Sequence, residues 1–292
     1  MTARLYQIFT LLSRLVGLWP IRVTSALVAV AYFLFFPRRL RGSLRFYRAL
    51  WPRRSRLFAL WCAWRQYQDF ARLYSERLEI DRRADVVFET EGDNHIAEAK
   101  AKGQGAILVM SHFGRWEIGA RLLAQRQEKL TLVMGGEDAG RARAGVDEAL
   151  RGAGLGVVTV PAGEGQAFDI LEALEVLRQG GIVSLAADRT WGEARVLQVP
   201  FLGHTALIAA APFALALVSG APLLTVFAAK LGRRHYRFFC GSPIPLHEAR
   251  RADREKAMEQ AASAYLERLR TMVLAHPEQW HNFGEFMRMD TH

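Results

Sequence analysis

From about residue 94 onward, short β-rich runs alternate with helical stretches, and this alternation constrains the fold more than any other feature of the chain. Runs at 106–111, 130–134, 157–160, 182–186, 223–228 and 236–240 read as strands. Stretches near 94–102, 115–127, 140–153, 166–179 and 205–218 carry the spacing of helices, and a last helix over 253–275 stops before His276-Pro277. Strands alternating with helices predict an α/β architecture, a mixed central sheet flanked by helices. At 292 residues the chain suits one sizeable domain. We place the α/β domain at 85–292 and an N-terminal helical platform at 1–84.

That platform has an unusual charge pattern. Before Asp69 there are 12 arginines, no lysine and no carboxylate, so of 39 basic residues 27 remain to face the 29 acidic ones. All of the formal excess of +10 therefore lies at the N-terminus. Eight of these arginines fall between Arg38 and Arg56, interleaved with Leu40, Leu44, Phe46, Tyr47, Leu50 and Trp51. Cations beside apolar groups suit an anionic lipid surface, where each contributes roughly 1 kcal/mol. Nucleic acid is the rival partner for such a patch. The preceding run from Val23 to Phe36 has no charge and favours lipid, so no nucleic-acid partner is expected. The run is shorter than the roughly 20 apolar residues of a full span. It reads as a membrane anchor that either lies in the interface or crosses with help from Leu15–Trp19. The arginines behind it put their side in the cytoplasm. A buried core helix followed by a solvated basic face is the plainer alternative. The helix over 56–79 carries an aromatic-rich face, read as core packing.

The chemistry concentrates at His112. Residues 105–111 read as a buried strand, and His112-Phe-Gly-Arg-Trp-Glu117 follows at once. Ligands of open α/β sheets bind beyond the carboxyl ends of strands. On a continuous helix His112 and Glu117 would point about 140° apart. His112 is therefore assigned to a turn that Gly114 allows, with Glu117 facing back from the first helical turn. A carboxylate on one imidazole nitrogen fixes the tautomer and leaves the other to take a proton. Such a pair activates a hydroxyl. A capping His beside a helix-stabilising Glu is the alternative reading of the same residues.

Ser111-His112-Phe-Gly-Arg-Trp-Glu117 resembles the His-x4-Asp/Glu motif of the lysophospholipid acyltransferase superfamily, in the branch of bacterial lipid A late acyltransferases. Four further segments resemble that branch in the same order: Ile182 to Asp188, Val199-Pro-Phe-Leu-Gly203, Ala206–Pro212 as a following helix, and Pro277-Glu-Gln-Trp280-His-Asn-Phe283. Asp188-Arg189 departs from the usual Asp-Gln, and the usual Trp-Arg ending is lacking. The resemblance implies a glycerolipid acyltransferase-like fold at the cytoplasmic face of a bacterial inner membrane. It implies acyl transfer from acyl carrier protein or a coenzyme A thioester to a hydroxyl of a membrane lipid or glycolipid acceptor, lipid A-like or related. No cofactor, metal or covalent acyl-enzyme is implied. His112 is then the general base, and Glu117 orients and charge-balances it. Arg115, Arg141, Arg143 and Arg189 become candidates for oxyanion or phosphate binding, and Asp188 shapes the substrate site.

Other motifs fail. Ser111 lacks a nucleophile-elbow context, and Gly152-Ala-Gly154-Leu-Gly156 precedes a strand, which is wrong for a dinucleotide fold. His204, His235, His247, His276 and His281 have no metal-ligand spacing. Cys62 and Cys240 read as reduced core thiols. Two other classes remain open: a lipid hydrolase using the same His/Glu pair, and a non-catalytic membrane-binding protein.

Overall fold

The computed structural model describes residues 17–80, 86–126, 128–135, 154–160, 166–189, 194–246, 252–283 and 286–288. The helix expected over 140–153, with Arg141 and Arg143, lies outside the described residues. So do Leu15 and residues 81–85, where the platform and the α/β domain were divided.

Three helices come first: α1 (Trp19–Phe35), α2 (Pro37–Leu50) and α3 (Arg56–Ile80). The Phe36-Pro37 step separates α1 from α2. Proline disfavours helical backbone in the residue before it, and Phe36 takes φ −115° and ψ 69°. The two helices meet at 88°. Helix α2 buries Ser43, Phe46, Tyr47 and Leu50, one stripe at i, i+3, i+4, i+7, and leaves its arginines outside.

The main sheet holds seven strands in the order β1-β9-β8-β2-β5-β3-β4. Their ranges are β1 Val87–Glu91, β2 Ala106–Met110, β3 Leu130–Gly135, β4 Gly156–Val160, β5 Ile182–Ala186, β8 Leu223–Gly232 and β9 His235–Cys240. Every pairing is parallel except β8 with β9, so the sheet is mixed, as expected. Helices α4 (Asn94–Ala101), α5 (Trp116–Gln125), α6 (Gln166–Arg178), α7 (Ala211–Ser219) and α8 (Arg254–Ala275) complete the described helices. Strand β2 shows why the sheet is central: alternate side chains enter different cores. Ile107 and Val109 pack with Phe46, Tyr47, Leu177, Phe213 and Tyr265 of the helices on one face. Ala106 and Leu108 pack with Ile96, Ala120 and Leu123 on the other. A parallel strand covered on both faces must be apolar throughout. Because Phe46, Tyr47, Cys62 and Ala63 sit in the first of these cores, α2 and α3 are packed into the α/β body.

One expected helix is half strand. Residues 204–209 form β7, which pairs antiparallel with β6 (Val196–Phe201) and with the short β10 (Met287–Arg288). Helix α7 begins only at Ala211 and ends on Gly220, whose positive φ of 68° closes it. The β6–β7 turn is Leu202-Gly203, both with positive φ, at 51° and 78°. Leucine is not a residue that announces such a turn, and Ala206–Ala211 is apolar enough for either element.

Among the described residues no single helix is long and apolar enough to cross a membrane; only the bent pair α1 and α2 reaches that length and composition together.

Candidate active site

His112 and Asp188 stand in register. Strands β2 and β5 run parallel with Met110 opposite Ala186, and the Ala187 N–H donates to the Met110 carbonyl at 2.9 Å. Two residues further on, at the carboxyl ends of both strands, the imidazole meets the carboxylate. His112 Nδ1 lies 2.8 Å from Asp188 Oδ1, and the His112 backbone N–H donates to Oδ2 at 2.9 Å. The Trp280 indole N–H donates to the same Oδ2 at 2.9 Å. Asp188 is buried while the His112 side chain keeps 14 % exposure. Burial pushes the Asp188 carboxyl up, but His112, Arg189 and the Trp280 indole outweigh it and hold the group below its usual range. Asp188 is therefore ionised, and a charged carboxylate on Nδ1 fixes the ring and favours the imidazolium.

The turn after His112 depends on glycine. Gly114 takes φ +63°, and a Cβ there would lie 2.0 Å from the Ala228 carbonyl oxygen. The close approach is used: the Arg115 N–H donates to that oxygen at 2.6 Å. Glu117 follows in the first turn of α5, half-buried. The carboxylate on His112 Nδ1 is thus Asp188, where the sequence reading had assigned ring orientation to Glu117.

The segment 277–283 crosses the site as a clasp. His281 N–H donates to the His112 carbonyl at 2.8 Å, and Gly114 N–H donates to the Gln279 carbonyl at 2.7 Å. The Asn282 amide donates to the Asp188 carbonyl at 2.9 Å. Gln279 pairs with the backbone of Lys230 on β8 in both directions at 2.8 Å. Tyr47 of α2 and Gln66 of α3 donate to the carbonyls of Pro277 and Trp280. The helices, the sheet and this clasp are thereby tied together around one imidazole.

Behind the site lies a buried charge cluster. Arg115, its side chain 1 % exposed, donates twice to Asp69, at 2.8 and 2.9 Å, and once to Glu76 at 2.6 Å. Lys230 pairs with Glu76, and His281 Nε2 lies 3.0 Å from Asp69. Burial pushes the Asp69 carboxyl up, yet hydrogen bonds from His281 and Arg115 bring it far below its usual range. Burial dominates at His281, with Arg115 adding to it, and lowers the imidazole despite Asp69. His281 is thus neutral and donates its Nε2–H to an Asp69 whose charge Arg115 balances. Arg115 was expected at the substrate, and the structure commits its guanidinium to this cluster. Arg189 follows Asp188, half-buried, with one N–H 3.3 Å from the His281 carbonyl.

Sequence reasoning missed the parts played by Trp280, His281 and Asn282, although the resemblance had singled out their segment. It also gave Asp188 only a shaping part. Cys62 and Cys240 are buried and unpaired, as expected.

Comparison with known proteins bears on what such a site belongs to. Residues 65–286 match the model of the bacterial lipid A biosynthesis acyltransferases. Two curated relatives, phosphatidylinositol mannoside acyltransferases of Mycobacterium tuberculosis strains H37Rv and CDC 1551, are each 28 % identical over 193 residues, 65 % of this chain. The aligned part of the chain spans 57 % of the length of those relatives. With the family model covering most of its length, including His112, Asp188 and the clasp, the chain belongs to the bacterial lipid A biosynthesis acyltransferase family.

Proposed function

We propose that the protein transfers a fatty acyl group from a thioester donor, acyl carrier protein or coenzyme A, to a hydroxyl of a membrane lipid or glycolipid. The observation that carries this reading is the His112–Asp188 pair at the carboxyl ends of two paired strands, in a chain of this family. With Nδ1 committed to Asp188, Nε2 takes the proton from the acceptor hydroxyl. The acceptor oxygen attacks the thioester carbonyl and forms a tetrahedral oxyanion. As this collapses, the C–S bond breaks and the thiolate takes the proton back from the imidazolium. Protons and charge balance with no metal and no acyl-enzyme. Ser111 is only 2 % exposed, burial raises the Cys62 thiol, and burial pushes the Cys240 thiol up to about 12. None of the three suits a nucleophile.

Glu117 keeps a catalytic part in this scheme: its negative charge in the first turn of α5 balances the imidazolium, while Asp188 orients the ring. Arg189 stabilises the oxyanion, and a single donor of that kind is worth on the order of 3 kcal/mol. Arg141 is a second candidate for substrate binding. Arg115 acts through the buried cluster, by positioning the turn that carries His112. An acceptor of the phosphatidylinositol mannoside kind is favoured by the relatives' names.

The platform supports membrane association. Trp19, Leu27, Leu34, Phe35 and Phe36 are exposed, as are Leu57 and Trp61 of α3, while the arginines of α2 flank them. Apolar area beside cations suits a helix seated in the lipid interface, on the cytoplasmic face of a bacterial inner membrane.

The reading is tested by incubating purified protein with a radiolabelled acyl thioester and total membrane lipid. Label should move into one lipid species. Release of free fatty acid alone would make the protein a hydrolase.

A further inference from the structure

A cleft of about 170 Å³ opens between α2 and the clasp. Its outer wall carries Arg38, Arg39 and Arg45, and its inner wall is Phe46, Trp280 and Asn282. Trp280 and Asn282 both bond to Asp188, so the cleft shares a wall with the carboxylate that holds His112.

Three observations point to an anion in this cleft. The first is unpaired charge on the α2 wall, a segment of the chain that precedes the first carboxylate, Asp69. Among the described residues no ion pair is formed by Arg38, Arg39 or Arg45, whereas Arg22 and Arg65 reach Glu79 and Glu278. The second is their place on the helix. Arg38 and Arg39 stand in the first turn of α2, which holds no acidic residue. Cations there oppose the positive end of the helix dipole, and a bound anion relieves that opposition. The third is shape. Arg38, Gly42 and Arg45 share one stripe at i, i+4, i+7 and all line the cleft, so at Gly42 no side chain stands on that stripe between the two arginines. Beneath the gap lies an aromatic floor, with Phe46 and Trp280 edge-to-face at 4.7 Å. Planar guanidiniums above an aromatic floor suit a phosphate ester with an apolar or sugar body.

We infer that this cleft binds the phosphate group of one of the two substrates, holding it beside His112, and the identification of the ligand as a substrate rests on the acyl-transfer reading above. The phosphate belongs either to the headgroup of the acceptor lipid or to the phosphorylated arm of the thioester donor. In either case Arg38 and Arg45 grip it across Gly42, and Trp280 forms the wall that the cleft shares with Asp188.

The test measures binding, by titration calorimetry of the full chain in detergent, with glycerophosphoinositol as the headgroup probe and coenzyme A as the donor probe. One of the two should bind, and R38Q/R45Q should weaken that one about tenfold or more, the cost of losing two charge-assisted contacts. G42L, which fills the gap without changing charge, should weaken it to a similar degree. R41Q/R48Q removes two other exposed arginines of the same helix and should change affinity less than twofold. Which probe responds identifies the source of the phosphate. H112A should bind unchanged, so a failure of the catalytic reading leaves this result standing. Equal losses in the two arginine pairs would mean a diffuse basic face, and binding of neither probe would also overturn the site.

Discussion

Asp188 holds His112 twice, with one carboxylate oxygen on the ring at 2.8 Å and the other on the backbone N–H at 2.9 Å. A single residue thus fixes both the direction of the imidazole and the end of the strand that carries it. The distinction between orienting a base and balancing its charge becomes measurable from this arrangement.

Asp188→Asn should lower kcat by about two or more orders of magnitude, as His112→Ala should, because one removes the carboxylate that sets the tautomer of the base and the other removes the base itself. The double variant should be little worse than either single one, since the pair acts as a unit. Glu117→Gln should cost about tenfold and add to Asp188→Asn, because charge balance and orientation are separate contributions. Single-turnover rates of these variants against the parent protein decide the matter. A Glu117→Gln loss that vanishes in the Asp188→Asn background would return ring orientation to Glu117.

Arg115→Ala should destabilise the protein by about 3–5 kcal/mol, because Asp69 and Glu76 would be left as buried charges. Urea unfolding followed by circular dichroism measures this. A loss below 1 kcal/mol would show that the two carboxylates find other partners or water.

The pH dependence of stability should reveal His281. Its folded pKa is depressed below 6.5, so its contribution is fully present above 6.5 and is lost as pH falls through the folded value. Asp69 and Arg115, which face it, stay charged through this window. Asp188 adds a second loss only below 3.8, as the solution falls through its lowered folded value. Denaturant midpoints between pH 7 and 5 should therefore decline, and His281→Asn should flatten that slope. An unchanged slope would assign the decline to other groups.

The apolar face of α1 gives a membrane test that leaves the core alone. Leu27 and Leu34 are each 63 % exposed. Leu27→Glu with Leu34→Glu should reduce sedimentation with anionic vesicles by about tenfold or more, with the melting temperature little changed. Added salt should weaken the remaining binding, since the arginine contribution is screened within about 8–10 Å at ordinary ionic strength. Indifference to both would favour a solvated basic face.

Much of this was legible from local pattern. Strand β5 falls on the predicted residues, and β2 and α8 end within a residue or two of them. Buried parallel strands announce themselves as short apolar runs between turns, and His112 could be placed at a strand end on that ground alone. What was not legible depends on sheet order. Nothing local says that β5 lies beside β2, so a contact spanning 76 residues between His112 and Asp188 had no sequence signal beyond the carboxylate at a strand end. Glu117, five residues away, was the nearer choice. The edge strand β1 was missed because Val-Phe-Glu-Thr-Glu carries too few apolar residues for a buried strand. Among the described residues it pairs with β9 alone, where Glu89 meets His235 and Arg237. Strand β7 was missed because its turn uses a leucine.

The clasp also sets a clock on synthesis. Trp280 lies 92 residues after Asp188 in the chain. At about 5–20 residues per second, a ribosome needs roughly 5–20 s to cover that distance. During that interval the apolar helix and its arginines already exist and can meet lipid, while Asp188 still lacks the indole and amide that hold it. On the proposed function, a nascent chain can thus reach the bilayer before its base is set, and acyl transfer waits until the clasp is translated.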